Sequence, residues 1–156
     1  MKRTRGSSCF PSGRCCGLAA VELALILPLY LMLMLGVAEL GRACYEYNTL
    51  NKLVRAGAKY ISREANSGAG VVDITNAKRN ATRNLVVFGT PAGTGSALLS
   101  GLTVSNITVT AAGNNITVTA SYDYTPLFVV IPAFGLGDGD INAIGTMNAA
   151  ATMVLL

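Results

Sequence analysis

The chain has 156 residues, 51% of them hydrophobic, a formal net charge of +4, and no histidine or tryptophan. That length holds one membrane segment and one small domain with a modest core. The missing histidine removes Ser-His and Cys-His nucleophile pairs and the common zinc sites.

The charge is unevenly placed. Lys2, Arg3, Arg5 and Arg14 precede Gly17 and no acid does, so the remainder carries eight basic and eight acidic residues. The basic balance therefore belongs to the N-terminal tail. Residues 1–17 are rich in Gly, Ser, Cys and Arg and lack apolar periodicity, which predicts a disordered leader. Cys9, Cys15 and Cys16 lie in it without metal-knuckle spacing.

From Leu18 to Ala38 the only charged residue is Glu22. As a helix this stretch spans roughly 30 Å, the hydrocarbon thickness of a bilayer. The cations before it predict a cytoplasmic N-terminus and an exported remainder. A rival reading is an ordinary secretory signal cut after Ala38, but the apolar run is longer than such signals use. A carboxylate deep in a membrane helix costs roughly 2.5–3.5 kcal/mol, less near the interface. Glu22 sits in the first turns, where the helix dipole offers relief. Pro28 removes one backbone hydrogen bond and predicts a kink.

Beyond Ala38 the helix is expected to continue to about Ser62 or Ala65. Leu40, Tyr47, Val54 and Ile61 recur seven apart, with Leu50 and Gly57 on the neighbouring line, and Glu46, Lys52, Arg55, Lys59 and Arg63 largely off that stripe. Cys44 is the one cysteine after Gly17. It reads as a free thiol or as a cross-link to a second subunit.

Gly17, four neutral residues, then Glu22-Leu23 resembles the cleavage site of prepilins and pseudopilins. The wider string CGLAAVELALILPLYLMLMLGVAELGRACYEYNTLNKLVRAGAKYI resembles the TadE-like family of minor pseudopilins of the tight-adherence (Flp) pilus system. A weaker likeness continues at YDYTPLF and the closing strand. The resemblance implies processing by a prepilin peptidase between Gly17 and Leu18, with Glu22 retained in the membrane for recognition and assembly. It also implies a role in adherence and biofilm formation. The implied partners are the peptidase, the major Flp pilin, other minor pseudopilins and secretion platform proteins. The family's Glu-Phe/Tyr pair is Glu22-Leu23 here.

Asn66–Gly70 reads as a break. Asp73 or Thr75 can cap a second helix, with Ile74, Ala77, Ala81, Leu85 and Phe88 on one face, Lys78, Arg79 and Arg83 on the other, and Gly89 at its end. Residues 89–101 form a Gly-rich linker without a phosphate-loop lysine. Leu102–Thr110 and Ile116–Tyr124 read as a hairpin about Gly113-Asn114-Asn115, with a bulge between Val104 and Ile107. Leu127–Phe134 is strongly apolar, and Ile141–Leu156 alternates as a last strand. Asp138 and Asp140 are too few for a calcium loop, and Asp123 reads as a surface charge between two tyrosines. The scattered basic residues from Arg55 to Arg83 are diluted by Glu64 and Asp73, so direct nucleic-acid binding is not expected.

The expected fold is α+β: a long N-terminal helix packed on a small domain with a second helix and a three- to four-stranded antiparallel sheet, pilin-like. Its parts are a leader (1–17), a transmembrane helix (18–38), a helix extension (39–65) and an exported α+β domain (66–156). No catalytic constellation, cofactor or metal set is evident, so a structural role in assembly leads. The alternatives are an uncleaved bitopic membrane protein whose periplasmic domain binds envelope or secretion partners, and, less in keeping with the missing histidine, an anchored hydrolase.

Overall fold

Leucine, alanine and methionine dominate residues 18–38, and all three favour helix. A computed structural model, which describes residues 15–65, 74–127 and 145–155, forms one helix from them, α1 (Cys15–Ala65), that runs through Pro28 without interruption. Residues 1–17 were expected to be disordered, but Cys15, Cys16 and Gly17 are already helical; Leu18-Ala19-Ala20 follow with good helix formers that carry the first turn backwards. The chain divides into two compact units at the junction of Ala38 and Glu39.

In the first unit, Val21, Leu25, Leu29 and Leu33 leave half to three-quarters of their surface bare. This is the one helix among the described residues that is long and apolar enough to cross a membrane.

The second unit is an α+β domain. Its part of α1 buries Ala43, Leu50, Val54, Ala58, Ile61 and Ala65. At roughly 1.5–3 kcal/mol per large side chain, Leu50, Val54 and Ile61 alone hold this segment firmly to the domain. The seven-residue stripe expected from Leu40 is corrected here. Leu40 and Tyr47 are exposed, and the buried line starts at Glu39, Ala43 and Glu46 instead. The rest of the stripe holds, with Leu50, Val54, Gly57 and Ile61 buried; only its first two positions fail, because two glutamates occupy core positions that apolar patterning leaves blank.

The second helix, α2 (Asn76–Phe88), starts at Thr75, whose hydroxyl accepts the Lys78 N–H at 3.4 Å. It stops at Gly89, which takes φ 75° and donates its N–H to the Leu85 carbonyl. Its buried residues are Thr82, Val86 and Val87, not the expected line through Ala77 and Leu85. Thr82 satisfies its own hydroxyl on the Lys78 carbonyl at 2.8 Å, so a residue that reads as polar presents a methyl to the core. Arg79 is likewise turned inward.

Gly57 of α1 faces Val86 and Thr82 of α2. A Cβ placed there lies 2.5 Å from Cγ2 of Val86, a stiff and fully buried side chain. Gly57→Ala gains up to about 1 kcal/mol in helix propensity, but forcing this contact apart costs about 1–3 kcal/mol. The expected result is a net loss of stability in chemical denaturation, recovered when Val86→Ala is added.

The sheet is an antiparallel meander, β1 (Ile107–Ala112), β2 (Asn115–Asp123) and β3 (Thr146–Val154), in that order. Three strands fall among the described residues, at the lower end of the expectation. Alternation explains its faces: Ile107, Val109, Ile116, Val118, Ala120, Tyr122, Met147 and Ala149 are buried, while a threonine-rich face stays wet. Thr117 and Thr152 join hydroxyls across strands at 2.9 Å on that wet face.

Two local readings change. Residues Val104–Asn106 form a 3₁₀ turn rather than a bulged strand, so β1 begins at Ile107. Asn106 accepts the Thr103 N–H at 3.2 Å, a local bond that competes with the ladder. The hairpin turn is Gly113-Asn114, with Gly113 at φ 57° and Asn115 paired to Ala112. Glycine in that first central position suits a two-residue turn.

The open edge of β1 is guarded by Arg79, whose Nη1 donates to the Val109 carbonyl at 3.1 Å. The expected break at Asn66–Gly70, most of Leu127–Phe134, the loop bearing Asp138 and Asp140, and residues 141–144 lie outside the described residues.

Candidate functional site

On a helix, residues i, i+3 and i+7 share one face. Glu39, Arg42 and Glu46 therefore point the same way from the start of the second unit. On a strand, alternate residues share a face. Tyr122 and its neighbour Tyr124, just past β2, thus face the core together, while Asp123 between them faces out and accepts the Thr146 hydroxyl at 2.7 Å.

The two sets meet in a clasp. Tyr124 donates its hydroxyl to Glu39 Oε1 at 2.5 Å, and the same oxygen accepts the Leu127 N–H at 3.0 Å. Seven residues on, Tyr122 donates to Glu46 Oε2 at 2.8 Å and shares its proton with the Ser100 carbonyl at 3.0 Å. Arg42 lies between, its Nε on Glu46 Oε1 at 2.9 Å and its guanidinium 5.8 Å from the Tyr124 ring centroid. Rising helix numbers pair with falling strand numbers, so this stretch of α1 runs against β2. Both glutamates are only 8% exposed, a depth that carboxylates reach only when paired. Arg42 Nη1 is buried without an acceptor among the described residues.

Two carboxylates and one guanidinium give the clasp an anionic balance that the phenols relieve by donating protons. Tyr122 is pushed up to about 12, first by burial and then by its bond to Glu46. Tyr124 is also pushed up to about 12, by burial and then by Glu39. A phenol whose folded value lies above the usual 10 stabilises the fold fully below pH 10, and that contribution drains away as pH rises through about 12. In an ultraviolet titration, two of the six tyrosines should ionise late and together with unfolding. Tyr122→Phe should remove one of them.

This arrangement holds a helix to a strand. Among the described residues no group of three or more His, Cys, Asp or Glu could bind a metal.

The residues singled out in the sequence fall elsewhere. Gly17, Leu18, Glu22 and Pro28 all lie on the first unit's part of α1. Cys44 is a free, exposed thiol on the outer face of the helix. Sequence reasoning gave Glu39 no role and set Glu46 off the stripe, whereas both are buried on the core face. The signal available was their seven-residue spacing in phase with Leu50, together with two tyrosines two apart at the end of an alternating strand.

The family model described as TadE-like protein matches residues 17–59. That stretch carries Gly17, Glu22, Pro28 and the three helix members of the clasp, and it is the family that the sequence resembles. Neither the curated proteins nor the solved structures yield a significant match.

Proposed function

We propose that this chain, TadE-like along its anchor helix, is a minor pseudopilin that a prepilin peptidase cuts after Gly17 and that Flp-type pilus assembly requires. The observation that carries this reading is the TadE-like match, which begins at Gly17 and takes in the acid five residues later. The cations ahead of Gly17 favour a cytoplasmic N-terminus and a domain on the far side of a bacterial inner membrane.

Cleavage exposes an α-ammonium on Leu18, a little over one helical turn from Glu22. In a bundle of like helices, the ammonium of one subunit and the carboxylate of its neighbour neutralise each other and lower the cost of holding either charge near lipid. The partners this reading names are the peptidase, the major Flp pilin, companion minor pseudopilins and the secretion platform. The work is assembly toward adherence and biofilm, not catalysis and not direct nucleic-acid binding. Among the described residues both buried carboxylates, Glu39 and Glu46, are engaged in the clasp, which fits a structural role.

A second reading, an uncleaved bitopic protein whose domain binds envelope partners, draws support from one feature. The Gly17–Leu18 bond lies inside α1, where a peptidase must first unwind the backbone. N-terminal sequencing or intact mass of the native protein tests both. A start at Leu18 is expected; a start at Met1 overturns processing and favours the anchor, and a start at Glu39 means ordinary export.

A further inference from the structure

The charges that follow the apolar run all turn the same way. Between Leu23 and Asn51 the chain carries three, Glu39, Arg42 and Glu46. The two glutamates are buried and the Arg42 Nε is spent on Glu46, all on the side of α1 that meets the sheet. The opposite side stays uncharged and apolar past Ala38. Leu40 is 60% exposed, Tyr45 71% and Tyr47 45%, with Gly41 and Cys44 bare between them. Polar character begins at Asn48, and the first exposed charge is Lys52. Leu127, tied by its N–H to Glu39 and so held level with that first turn, leaves 68% of its surface bare.

We infer that α1 meets lipid on this side as far as Tyr47, with Cys44–Tyr47 at the level of the headgroups. The occupant of the exposed stripe is the bilayer itself. Length supports this register: Leu23–Ala43 spans about 30 Å, one hydrocarbon thickness. Cys44–Tyr47 adds about 6 Å, the depth of one headgroup layer. Tyr45 and Tyr47 then fall where amphipathic rings collect, apolar body inward and hydroxyl to water. The same register moves Glu22 out of the oil to the opposite interface, where its cost is smaller. The inference rests on the reading of α1 as a single-pass anchor.

The test uses the full chain in vesicles of phosphatidylcholine and phosphatidylglycerol. A nitroxide is placed on native Cys44 after Cys9→Ser, Cys15→Ser and Cys16→Ser. Two reference chains carry the label at Leu27→Cys or Lys52→Cys, each with Cys44→Ser added. Collisions with oxygen report lipid and collisions with a nickel chelate report water. The expected oxygen-to-nickel ratio at Cys44 is close to that at Leu27 and several-fold above that at Lys52. A ratio at Cys44 equal to that at Lys52, with Leu27 still shielded, overturns the inference and leaves the anchor standing. Nickel access at Leu27 overturns the anchor and the inference with it. Loss of both collisions at Cys44 with spin–spin broadening also overturns it, in favour of a second copy's helix on the stripe.

Discussion

Glu46→Ala lowers the stability of the domain by about 2–3 kcal/mol, the largest loss expected from any single surface-spanning contact in it. The estimate follows from what is left behind. Tyr122 loses its bond to an ionised acceptor, worth about 1.5–3 kcal/mol, and keeps only the Ser100 carbonyl. Arg42 loses its ion-pair partner. An arginine stranded in a dry core would raise the cost to about 3–5 kcal/mol. A third of the Arg42 side chain reaches solvent, however, so water recovers part of that. Tyr122→Phe costs less, about 1–1.5 kcal/mol, because it removes the hydroxyl and leaves the carboxylate with Arg42. Glu64→Ala, at an exposed position of the same helix, changes stability by no more than about 0.5 kcal/mol. Chemical denaturation of the purified full chain measures all three. In a double-mutant cycle, Glu46→Ala with Tyr122→Phe should cost clearly less than the sum of the two single losses, because their shared bond is lost only once. Equal effects at Glu46 and Glu64 would mean that the clasp contributes nothing to the fold.

Replacing the ionic members together gives a different result. Arg42→Leu, Glu46→Met and Tyr122→Phe combined remove every polar group of that half at once, and such swaps are often neutral. A stable triple variant would show that the clasp fixes which turn of α1 faces which residue of β2, rather than supplying net stability. Two carboxylates seven apart meet two phenols in one register only, which adds a directional constraint to the apolar packing of Leu50, Val54 and Ile61.

The parts of this fold that local chemistry dictates were legible in the sequence. Thr75 and Gly89 bracket α2 because a hydroxyl caps amides and a glycine takes φ 75°. Gly113 makes the hairpin for a similar reason. The apolar length of residues 18–38 announces a membrane-compatible helix by size alone. Facing was harder to read. Apolar periodicity assumes that what is buried is apolar, yet Glu39, Glu46 and Thr82 are buried polar residues satisfied by partners 76 and 85 residues away or by their own backbone. Leu40 and Tyr47 fit a stripe and lie outside the core. In a chain that meets lipid, an exposed apolar residue is no sign of a core position, so the pattern carries two overlapping signals. The tyrosine pair was visible at the end of the strand, but nothing local assigns its partners. Pairing across that distance is set by the register of helix on sheet, and no short window of sequence contains it.

Glu22→Ala should separate insertion from assembly, because the two respond in opposite directions. Removing an internal carboxylate makes membrane insertion easier, by up to roughly 2.5–3.5 kcal/mol at the bilayer centre and by less near an interface. If Glu22 mattered only as a tolerated flaw, the variant would accumulate in the membrane at least as well and support normal pili. If its charge instead answers the Leu18 ammonium of a neighbouring subunit, the variant inserts normally and piliation is lost. Glu22→Gln sharpens the contrast, since it keeps the length and hydrogen-bonding of the side chain and removes only the charge. Gly17 variants that block cutting should give the same loss with Glu22 intact, because the compensating cation is never released. Membrane fractionation and pilus counts in the native host read both quantities from one culture. Normal piliation with Glu22→Gln defeats the charge-pairing mechanism even if Leu18 is the mature N-terminus. Lost piliation with full membrane accumulation leaves charge compensation between helices as the step that fails.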